Sequence, residues 1–242
     1  MRARADMRRR LNAELQLDPR RTAVLAIDMH RGHLDPEIAT MPVVADVAAE
    51  VVAASRRLLD AMRAAGIPTA FLIMHNRLVG GESEYLRNPW WRLVESIREK
   101  LTPELPSTIR GHNLVGSPQT EVMPELTPLP TDYVITSKHR LSSFLDTDLE
   151  SWLRSQAIDT LLLIGINTNT CVLCAAFEAF NRDYAAIVVS DCVHSMYGDD
   201  LHEFGLENVA RCIGWVLTVD EVVAKLQEAG VDIPEPIGAV AD

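Results

Sequence analysis

The amino-acid sequence predicts a three-layer α/β/α fold, in which helices cover both faces of a doubly wound, six-stranded and mainly parallel sheet. Six short apolar runs lack the alternation of apolar and polar residues that a half-exposed strand shows, so both faces of each run should be buried. Longer helical patterns separate these runs, as in βα units with right-handed crossovers. The 242 residues are 48% apolar and 24% charged, which is typical of a folded chain.

The predicted strands share a richness in β-branched residues and a length of five or six residues. They span residues 22–27, 69–74, 133–137, 160–164, 186–190 and 215–219. Helical patterns occupy residues 44–65, 146–156, 170–182, 201–212 and 220–229. The sequence Gly66-Ile67-Pro68 marks the stop between the first of these helices and the second strand. Strands and helices therefore alternate along most of the chain.

One long connection, residues 77–132, interrupts this alternation between the second and third strands. A glycine pair and seven prolines break any long helix there. Insertions of this length in a compact domain usually shape a binding site or an interface. We therefore expect a single domain at residues 22–242 that carries an insertion at about 77–132. Residues 1–21 before it are expected to form an N-terminal arm.

Charge is distributed unevenly along the chain, whose net charge is -11. Residues 1–21 hold seven arginines against three acidic residues, which leaves about -15 on the remainder. That acidic balance argues against a nucleic-acid surface on the main body. The arm itself is either a solvated tail or short surface helix, or a segment that docks on the acidic body of a neighbouring subunit.

Targeting and redox signals point to a protein of the cytoplasm. No apolar stretch follows the N-terminal arginines, so we expect no secretory signal. The longest apolar runs fall below the ~18 residues that cross a bilayer, so we expect no membrane partner. The four cysteines show no scaffold-like spacing, which fits a reducing compartment.

Reactive residues close several predicted strands. In open α/β sheets ligands bind outside the carboxyl ends of the strands. The residues at those ends are Asp28, His75, Lys138, the turn before Cys171, and Asp191. Asp28 and Lys138 each end an apolar run, where either charge alone would be costly to bury. We expect Asp28, Lys138 and Cys171 to meet in one cleft, and we expect Asp191 to cap a loop.

Cys171 lies in the stretch "LLLIGINTNTCVLCAAFEAF", where a buried strand changes to an amphipathic helix. A helix N-terminus and a nearby cation both lower the pKa of a thiol, and Lys138 is the candidate cation. We therefore expect Cys171 to be a nucleophile with a lowered pKa. Cys192 and Cys212 are expected to be small buried hydrophobic residues.

Three ordered segments carry a resemblance to a known family. They are "AVLAIDMHRGHLDP", "VITSKHRLSSFLDTDLESWLRSQAIDTLLLIGINTNTCV" and "AFNRDYAAIVVSDCV". From about Thr22 to Val223 the chain resembles the isochorismatase-like cysteine hydrolases, in particular their amidohydrolase branch of N-carbamoylsarcosine amidase, biuret hydrolase and ureidoacrylate amidohydrolase. The resemblance implies an isochorismatase-like, Rossmann-like sheet and a cysteine-dependent amidohydrolase. The substrate would be a small amide, ureido or carbamoyl compound that releases ammonia or an amine.

The resemblance also implies roles for individual residues. Asp28, Lys138 and Cys171 would be the catalytic triad, and a thioester on Cys171 would be the intermediate. A cis peptide bond is implied at Ile166-Asn167, with the backbone N–H groups of Asn167 and Cys171 as an oxyanion hole. The resemblance and the N-terminal arm together favour a homodimer or a homotetramer.

Departures from the family pattern bear on the substrate. Metal-dependent nicotinamidases carry an Asp-x-His pair and a further histidine after the second strand, whereas His75 has no such partner. We therefore expect no catalytic metal, no cofactor and a substrate other than nicotinamide. His30 and His33 stand where the family often has Gln and Phe, which suggests a more polar pocket. The substrate-binding candidates are His33, Arg140, Asn167 and Trp90. Arg140 either clamps a substrate carboxylate or faces water, and Trp90, like its neighbour Trp91, is either a pocket wall or a subunit contact.

Three alternatives remain open at the level of sequence. Cys171 and Cys174 form a C-x-x-C pair at a strand-to-helix turn, as in thiol-disulfide oxidoreductases. A vinyl-ether hydrolase of the isochorismatase type would use the aspartate and need no cysteine. The third alternative is a non-catalytic oligomeric partner protein.

Overall fold

A six-stranded parallel sheet forms the centre of the molecule in the computed structural model, which describes residues 2–101 and 108–233. The strands of the chain are β1 (Thr22–Ile27), β2 (Thr69–Leu72), β3 (Leu78–Val79), β4 (Glu82–Ser83), β5 (Tyr133–Ile135), β6 (Thr160–Ile166), β7 (Ala185–His194) and β8 (Gly214–Leu217). The central sheet has the order β5-β2-β1-β6-β7-β8 with every pair parallel, while β3 and β4 form a separate antiparallel pair. All six predicted strands are present, and the predicted fold class is confirmed.

Helices cover both faces of this sheet. They are α1 (Arg2–Glu14), α2 (Arg31–Leu34), α3 (Ala45–Ala64), α4 (Pro89–Leu101), α5 (Leu149–Ser155), α6 (Leu173–Phe180), α7 (Asp199–Asn208) and α8 (Val219–Glu228). The predicted helices at 170–182 and 201–212 are each divided, because α6 is preceded and α7 is followed by a π-helical turn, Thr168–Val172 and Val209–Ile213. Among the described residues, no helix is both long enough and apolar enough to cross a membrane.

Burial on both faces explains why the strands are apolar without alternation. Along β1, Val24 and Ala26 belong to a core with residues of α3 and α8. Their neighbours Leu25 and Ile27 belong to a second core with residues of α5 and α6. Each strand thus separates two hydrophobic layers, as expected of a parallel sheet.

The strand order creates a crevice between β1 and β6. From β1 the chain runs outward to β2 and β5 and then returns to β6 on the other side of β1, so the order reverses there. Ligands of open α/β sheets bind at such a switch point. Gly165 lets the two strands approach, because its φ is +131° and a Cβ there would lie 1.9 Å from the carbonyl oxygen of Ile27.

The long insertion differs from the expectation in one feature. The insertion contains the 13-residue helix α4, which its prolines were expected to prevent. Pro89 is the first residue of this helix, and proline is tolerated there because the first N–H groups of a helix have no internal partner.

The N-terminal helix α1 lies against the edge of the sheet in its own chain. Trp215 Nε1 of β8 donates to the carbonyl of Leu11 at 3.2 Å, and Asn12 Nδ2 donates to that of Val216 at 3.0 Å. The end of the helix is therefore anchored on β8, while an arm between subunits stays a prediction.

Candidate active site

Asp28 is the first residue beyond β1 and is completely buried. Its φ is 54°, a left-handed conformation that aspartate tolerates better than most residues and that ends the strand. Oδ1 accepts the backbone N–H of Met74 at 2.9 Å, and Oδ2 accepts Lys138 Nζ at 2.6 Å. The carboxylate is thus held by a neighbouring strand end and by a buried cation.

Lys138 follows β5 and is also completely buried. Its Nζ lies 2.6 Å from Asp28 Oδ2 and 3.5 Å from Cys171 Sγ, so one ammonium joins the two other side chains. Burial opposes the charged form, but attraction and hydrogen bonding to Asp28 and Cys171 outweigh it and raise the pKa of Lys138. The lysine therefore stays protonated in the interior.

Cys171 lies in the π-helical turn Thr168–Val172 and is 3% exposed. Burial raises the pKa of the thiol to about 12, against the lowering effect of Lys138, and the carboxylate of Asp28 raises it further. The expectation of a lowered thiol pKa was therefore wrong. The reason is that the covered position removes the sulfur from water, a cost that one ammonium shared with Asp28 does not offset.

The chain passes through a cis peptide bond at Ile166-Asn167, just before this turn, where the family resemblance implied one. The N–H groups of Thr170 and Val172, on either side of Cys171, both donate to the carbonyl of Asn167 at 3.2 Å. The Asn167 side chain was a candidate for substrate contact, but its oxygen accepts the N–H of Met196 at 2.9 Å. In this structure the side chain of Asn167 therefore ties the start of the turn to Met196.

Three histidines, His30, His33 and His112, pack beside the carboxylate and are called the histidine cluster below. The ring centroids of His30 and His33 are 5.0 Å apart, and those of His33 and His112 are 5.2 Å apart. His30 Nε2 lies 3.9 Å from Asp28 Oδ1. Burial lowers the pKa of each of the three rings, so the cluster consists of polar but uncharged side chains at neutral pH.

The orientation of His33 follows from one hydrogen bond. Its Nδ1 lies 3.1 Å from the carbonyl oxygen of Met41, which can only accept. Nδ1 therefore carries the proton in the neutral ring, and Nε2 is left as an acceptor.

Aromatic residues of the insertion and of the β7–α7 connection stand near the sulfur. Burial, the neighbouring Tyr197 and the negative charge of an ionised Cys171 raise the pKa of Tyr85, and burial and Cys171 raise the pKa of Tyr197 to about 12. Trp91 stacks on Tyr85 with centroids 4.9 Å apart, whereas Trp90 is 66% exposed. Of the two tryptophans that the sequence offered, Trp91 thus packs within the chain, while a subunit contact by Trp90 stays a prediction. Sequence reasoning missed both tyrosines, because only tertiary contacts bring these irregular segments to the site.

Arg140 is half-buried two residues beyond Lys138. Its Nη1 donates to the carbonyl of His139 at 2.6 Å, and among the described residues no acidic side chain pairs with it. The other N–H groups of the guanidinium remain available for a ligand carboxylate.

The other residues that were predicted at strand ends have structural partners. Asp191 lies within β7, and both its carboxylate oxygens accept the N–H of Val219, at 3.0 and 3.2 Å, so it caps the start of α8, whereas a loop cap was expected. The N–H of His75 donates to the carbonyl of Lys138 at 2.8 Å. Across residues 2–101 and 108–233, no three His, Cys, Asp or Glu side chains are grouped to hold a metal ion.

The remaining cysteines differ from one another. Cys192 is buried in the core, whereas Cys212 is exposed, so the expectation that Cys212 is buried was wrong. It lies in the π-helical turn after α7, which shifts it off the buried face that a regular helix would give it. Burial and Glu178 raise the pKa of Cys174 to about 11, which does not favour a redox pair with Cys171, because such pairs depend on a lowered pKa.

Comparison with known proteins identifies what the chain resembles. The model of the isochorismatase domain matches residues 22–221. Ureidoacrylate amidohydrolase RutB of Methylobacterium radiotolerans is 30% identical over 241 residues, which cover 93% of this chain and 86% of that protein. A crystal structure of a cysteine hydrolase from Pseudomonas syringae pv. phaseolicola superposes with a TM-score of 0.74 at 25% identity, covering 89% of this chain and 97% of the other. N-carbamoylsarcosine amidase of Thermoplasma acidophilum shares the fold, with a TM-score of 0.63 at 24% identity over 83% and 97% of the two chains.

Proposed function

Because the chain belongs to the isochorismatase family, we propose that it hydrolyses a small ureido or carbamoyl compound through a thioester on Cys171. The broader activity is that of its relatives, a hydrolase acting on C–N bonds of non-peptide amides. The observation that carries the proposal is the buried Lys138 ammonium, which lies 2.6 Å from Asp28 Oδ2 and 3.5 Å from Cys171 Sγ. Burying two charged groups beside a thiol costs free energy, and proteins commonly keep such an arrangement where it serves catalysis.

In the first half-reaction the sulfur of Cys171 attacks the carbonyl carbon while its proton passes to Asp28. The backbone N–H groups of Asn167 and Cys171 receive the developing oxyanion. Asp28 then gives the proton to the leaving nitrogen, the C–N bond breaks, and an amine or ammonia departs from the acyl or carbamoyl thioester.

In the second half-reaction water replaces the amine. Asp28 takes a proton from the water, whose oxygen attacks the thioester carbon, and the proton returns to the sulfur as the C–S bond breaks. If the substituted amine of a carbamoyl compound has left, the acid product is carbamic acid, which decomposes to ammonia and carbon dioxide; if ammonia has left, it is an N-substituted carbamic acid, which decomposes to the amine and carbon dioxide. Lys138 holds Asp28 in place and faces the sulfur throughout, because it bonds to both.

Three side chains are proposed to recognise the substrate. His33 presents Nε2 as an acceptor for a substrate N–H, since its Nδ1 is committed to the carbonyl of Met41. Arg140 pairs with a carboxylate of the substrate through the N–H groups that His139 leaves free. The indole ring that walls the pocket is proposed to be that of Trp91 in place of the exposed Trp90. The protein is further proposed to work as a homodimer or homotetramer in the cytoplasm.

Ammonia release tests the proposal. Wild-type protein is incubated with ureidoacrylate, N-carbamoylsarcosine and nicotinamide, beside Cys171→Ala and a matched control, Cys174→Ala. We expect turnover of a ureido or carbamoyl compound that the control retains and that Cys171→Ala loses by about a thousandfold or more. Rapid quenching and mass spectrometry should detect the acyl or carbamoyl group on Cys171. Undiminished turnover by Cys171→Ala would refute the thioester mechanism.

A further inference from the structure

Three consecutive polar side chains follow the cis peptide bond, and all three bond to one other segment. Asn167 Oδ1 accepts the N–H of Met196 at 2.9 Å. Thr168 Oγ1 lies 2.8 Å from Nδ1 of His202, and Asn169 Oδ1 accepts the hydroxyl of Ser195 at 2.7 Å. We call residues 167–172 the nucleophile turn, because Cys171 lies within it. The turn is thus joined by three side-chain hydrogen bonds to residues 195–202, which form the connection after β7 and the start of α7.

The helix α7 also packs directly against the backbone of this turn. Gly205 is buried, and a Cβ at its position would lie 3.0 Å from Thr168 Cγ2 and 3.1 Å from both the carbonyl carbon and oxygen of Thr168. A side chain there would push the helix and the turn apart. Close packing and hydrogen bonds therefore fix the same stretch of backbone.

The partners of the turn are themselves held in place. Ser195 is 4% exposed, and its hydroxyl accepts the N–H of Tyr197 at 3.0 Å while donating to Asn169. The ring of His202 stacks on that of His194 with centroids 4.3 Å apart. Burial, followed by the proximity of His194, lowers the pKa of His202 to about 4, so its bond to Thr168 is one between neutral groups at neutral pH.

From this geometry we propose that Thr168 and Asn169, with their partners His202 and Ser195, are positioning residues for the nucleophile turn. The inference rests on the proposed thioester mechanism. These side chains bond to the protein and need not contact substrate; they fix the backbone that carries the N–H groups of the oxyanion hole and the sulfur. Donors that are fixed before the reaction stabilise the transition state, whereas a displacement of about 1 Å can cost two orders of magnitude in rate.

A positioning role and a purely structural role for these residues would change different measured quantities. A misplaced oxyanion donor weakens a contact that forms only in the transition state, so kcat falls while KM stays nearly constant. Loss of general stability would instead reduce the amount of folded enzyme and leave kcat per active site unchanged.

Thr168→Val tests the hydrogen bond, because valine keeps the shape of threonine and removes the hydroxyl. Thr168→Ser keeps the hydroxyl and is the conservative variant. Thr22→Val is the matched control, since Thr22 Oγ1 makes a hydrogen bond of the same length, 2.8 Å, to the carbonyl of Asp18 at the opposite end of the sheet. kcat and KM are measured on whichever of ureidoacrylate and N-carbamoylsarcosine the wild type hydrolyses, with folded enzyme quantified by circular dichroism.

We expect Thr168→Val to lose about tenfold or more in kcat with KM changed by less than about twofold. Thr168→Ser and Thr22→Val should stay within about threefold of the wild-type kcat. If Thr168→Val does not fold, Ser195→Ala replaces it, because this variant removes the hydrogen bond to Asn169 and the same loss of kcat at constant KM is expected.

Two results would overturn the inference: a wild-type kcat in Thr168→Val, or a rise in KM that accounts for the whole loss. Cys171→Ala separates these results from a failure of the mechanism. An inactive Cys171→Ala beside an unimpaired Thr168→Val leaves the proposed function intact and removes only the positioning role.

Discussion

Replacing Lys138 by methionine removes the ammonium and leaves the carboxylate of Asp28 buried without its cation. Both side chains are completely buried and their closest atoms are 2.6 Å apart. At an effective dielectric constant of about 20, unit charges at that distance attract by about 6 kcal/mol. Part of this attraction offsets the cost of taking both groups out of water, and breaking such a pair typically costs about 3–5 kcal/mol. We expect Lys138→Met to lower the free energy of unfolding by that amount.

The matched variants are Asp28→Asn and the double variant Asp28→Asn/Lys138→Met. Asparagine tolerates the left-handed φ of 54° at this position and keeps an oxygen for the N–H of Met74. The single variant leaves a buried ammonium unpaired and should also cost about 3–5 kcal/mol, whereas the double variant buries neither charge. We expect the double variant to be at least about 2 kcal/mol more stable than the sum of the two single losses predicts.

Urea denaturation followed by circular dichroism at pH 7.5 measures the three stabilities, and ammonia release measures activity. All three variants should be inactive, so stability and activity separate in the double variant. Losses below about 1 kcal/mol in the single variants, or losses that simply add in the double variant, would refute the reasoning. They would mean that water or another group compensates each charge.

Further predictions concern the crevice, the histidines and the proton transfer. Gly165→Ala should destabilise the protein far more than Gly116→Ala when melting temperatures are compared; both positions have a positive φ, but only the Cβ at Gly165 would collide with a neighbouring strand. Below pH 6.5 the unfolded chain takes up protons at the histidine cluster while the folded chain does not, so the free energy of unfolding should fall by up to about 1.4 kcal/mol per histidine between pH 7.5 and 5.5. His112→Gln should flatten this slope by up to one proton, and an unchanged slope would contradict the reasoning. In the proposed mechanism the thiol proton passes to Asp28 inside the site, so kcat/KM should be flat between pH 7 and 9, and a tenfold rise per pH unit would instead indicate that the thiol must first ionise to solvent.

The sequence was sufficient to predict the strands and the catalytic candidates at their carboxyl ends. Strands buried on both faces have a continuous apolar pattern, and the residue that ends such a run is at the carboxyl edge whatever the strand order. That is why Asp28, Lys138 and the turn before Cys171 could be expected to converge before the order of the strands was known. The helix that starts at Pro89 was missed because the same residue that breaks a helix interior is accepted at its first position.

Contacts between distant irregular segments could not be predicted. Nothing in the local sequence of Ser195 or His202 indicates that they bond to the nucleophile turn, since that contact depends on how closely α7 packs at Gly205. The same holds for Tyr85, which the insertion brings to the site. Pattern and propensity describe single elements, whereas these contacts depend on the placement of several elements at once.

The high pKa of Cys171 was the least predictable property, and it constrains the chemistry. A pKa of about 12 describes loss of the thiol proton to solvent, which would leave a buried thiolate beside a buried carboxylate. Transfer of that proton to Asp28 is a different process, because the pair of acid and thiolate carries the same total charge as the pair of carboxylate and thiol. The Lys138 ammonium, 3.5 Å from the sulfur, attracts the negative charge in either arrangement. Burial therefore opposes ionisation to solvent while leaving internal transfer far less affected, and this is the physical ground for proposing that the aspartate and the lysine act together on the thiol.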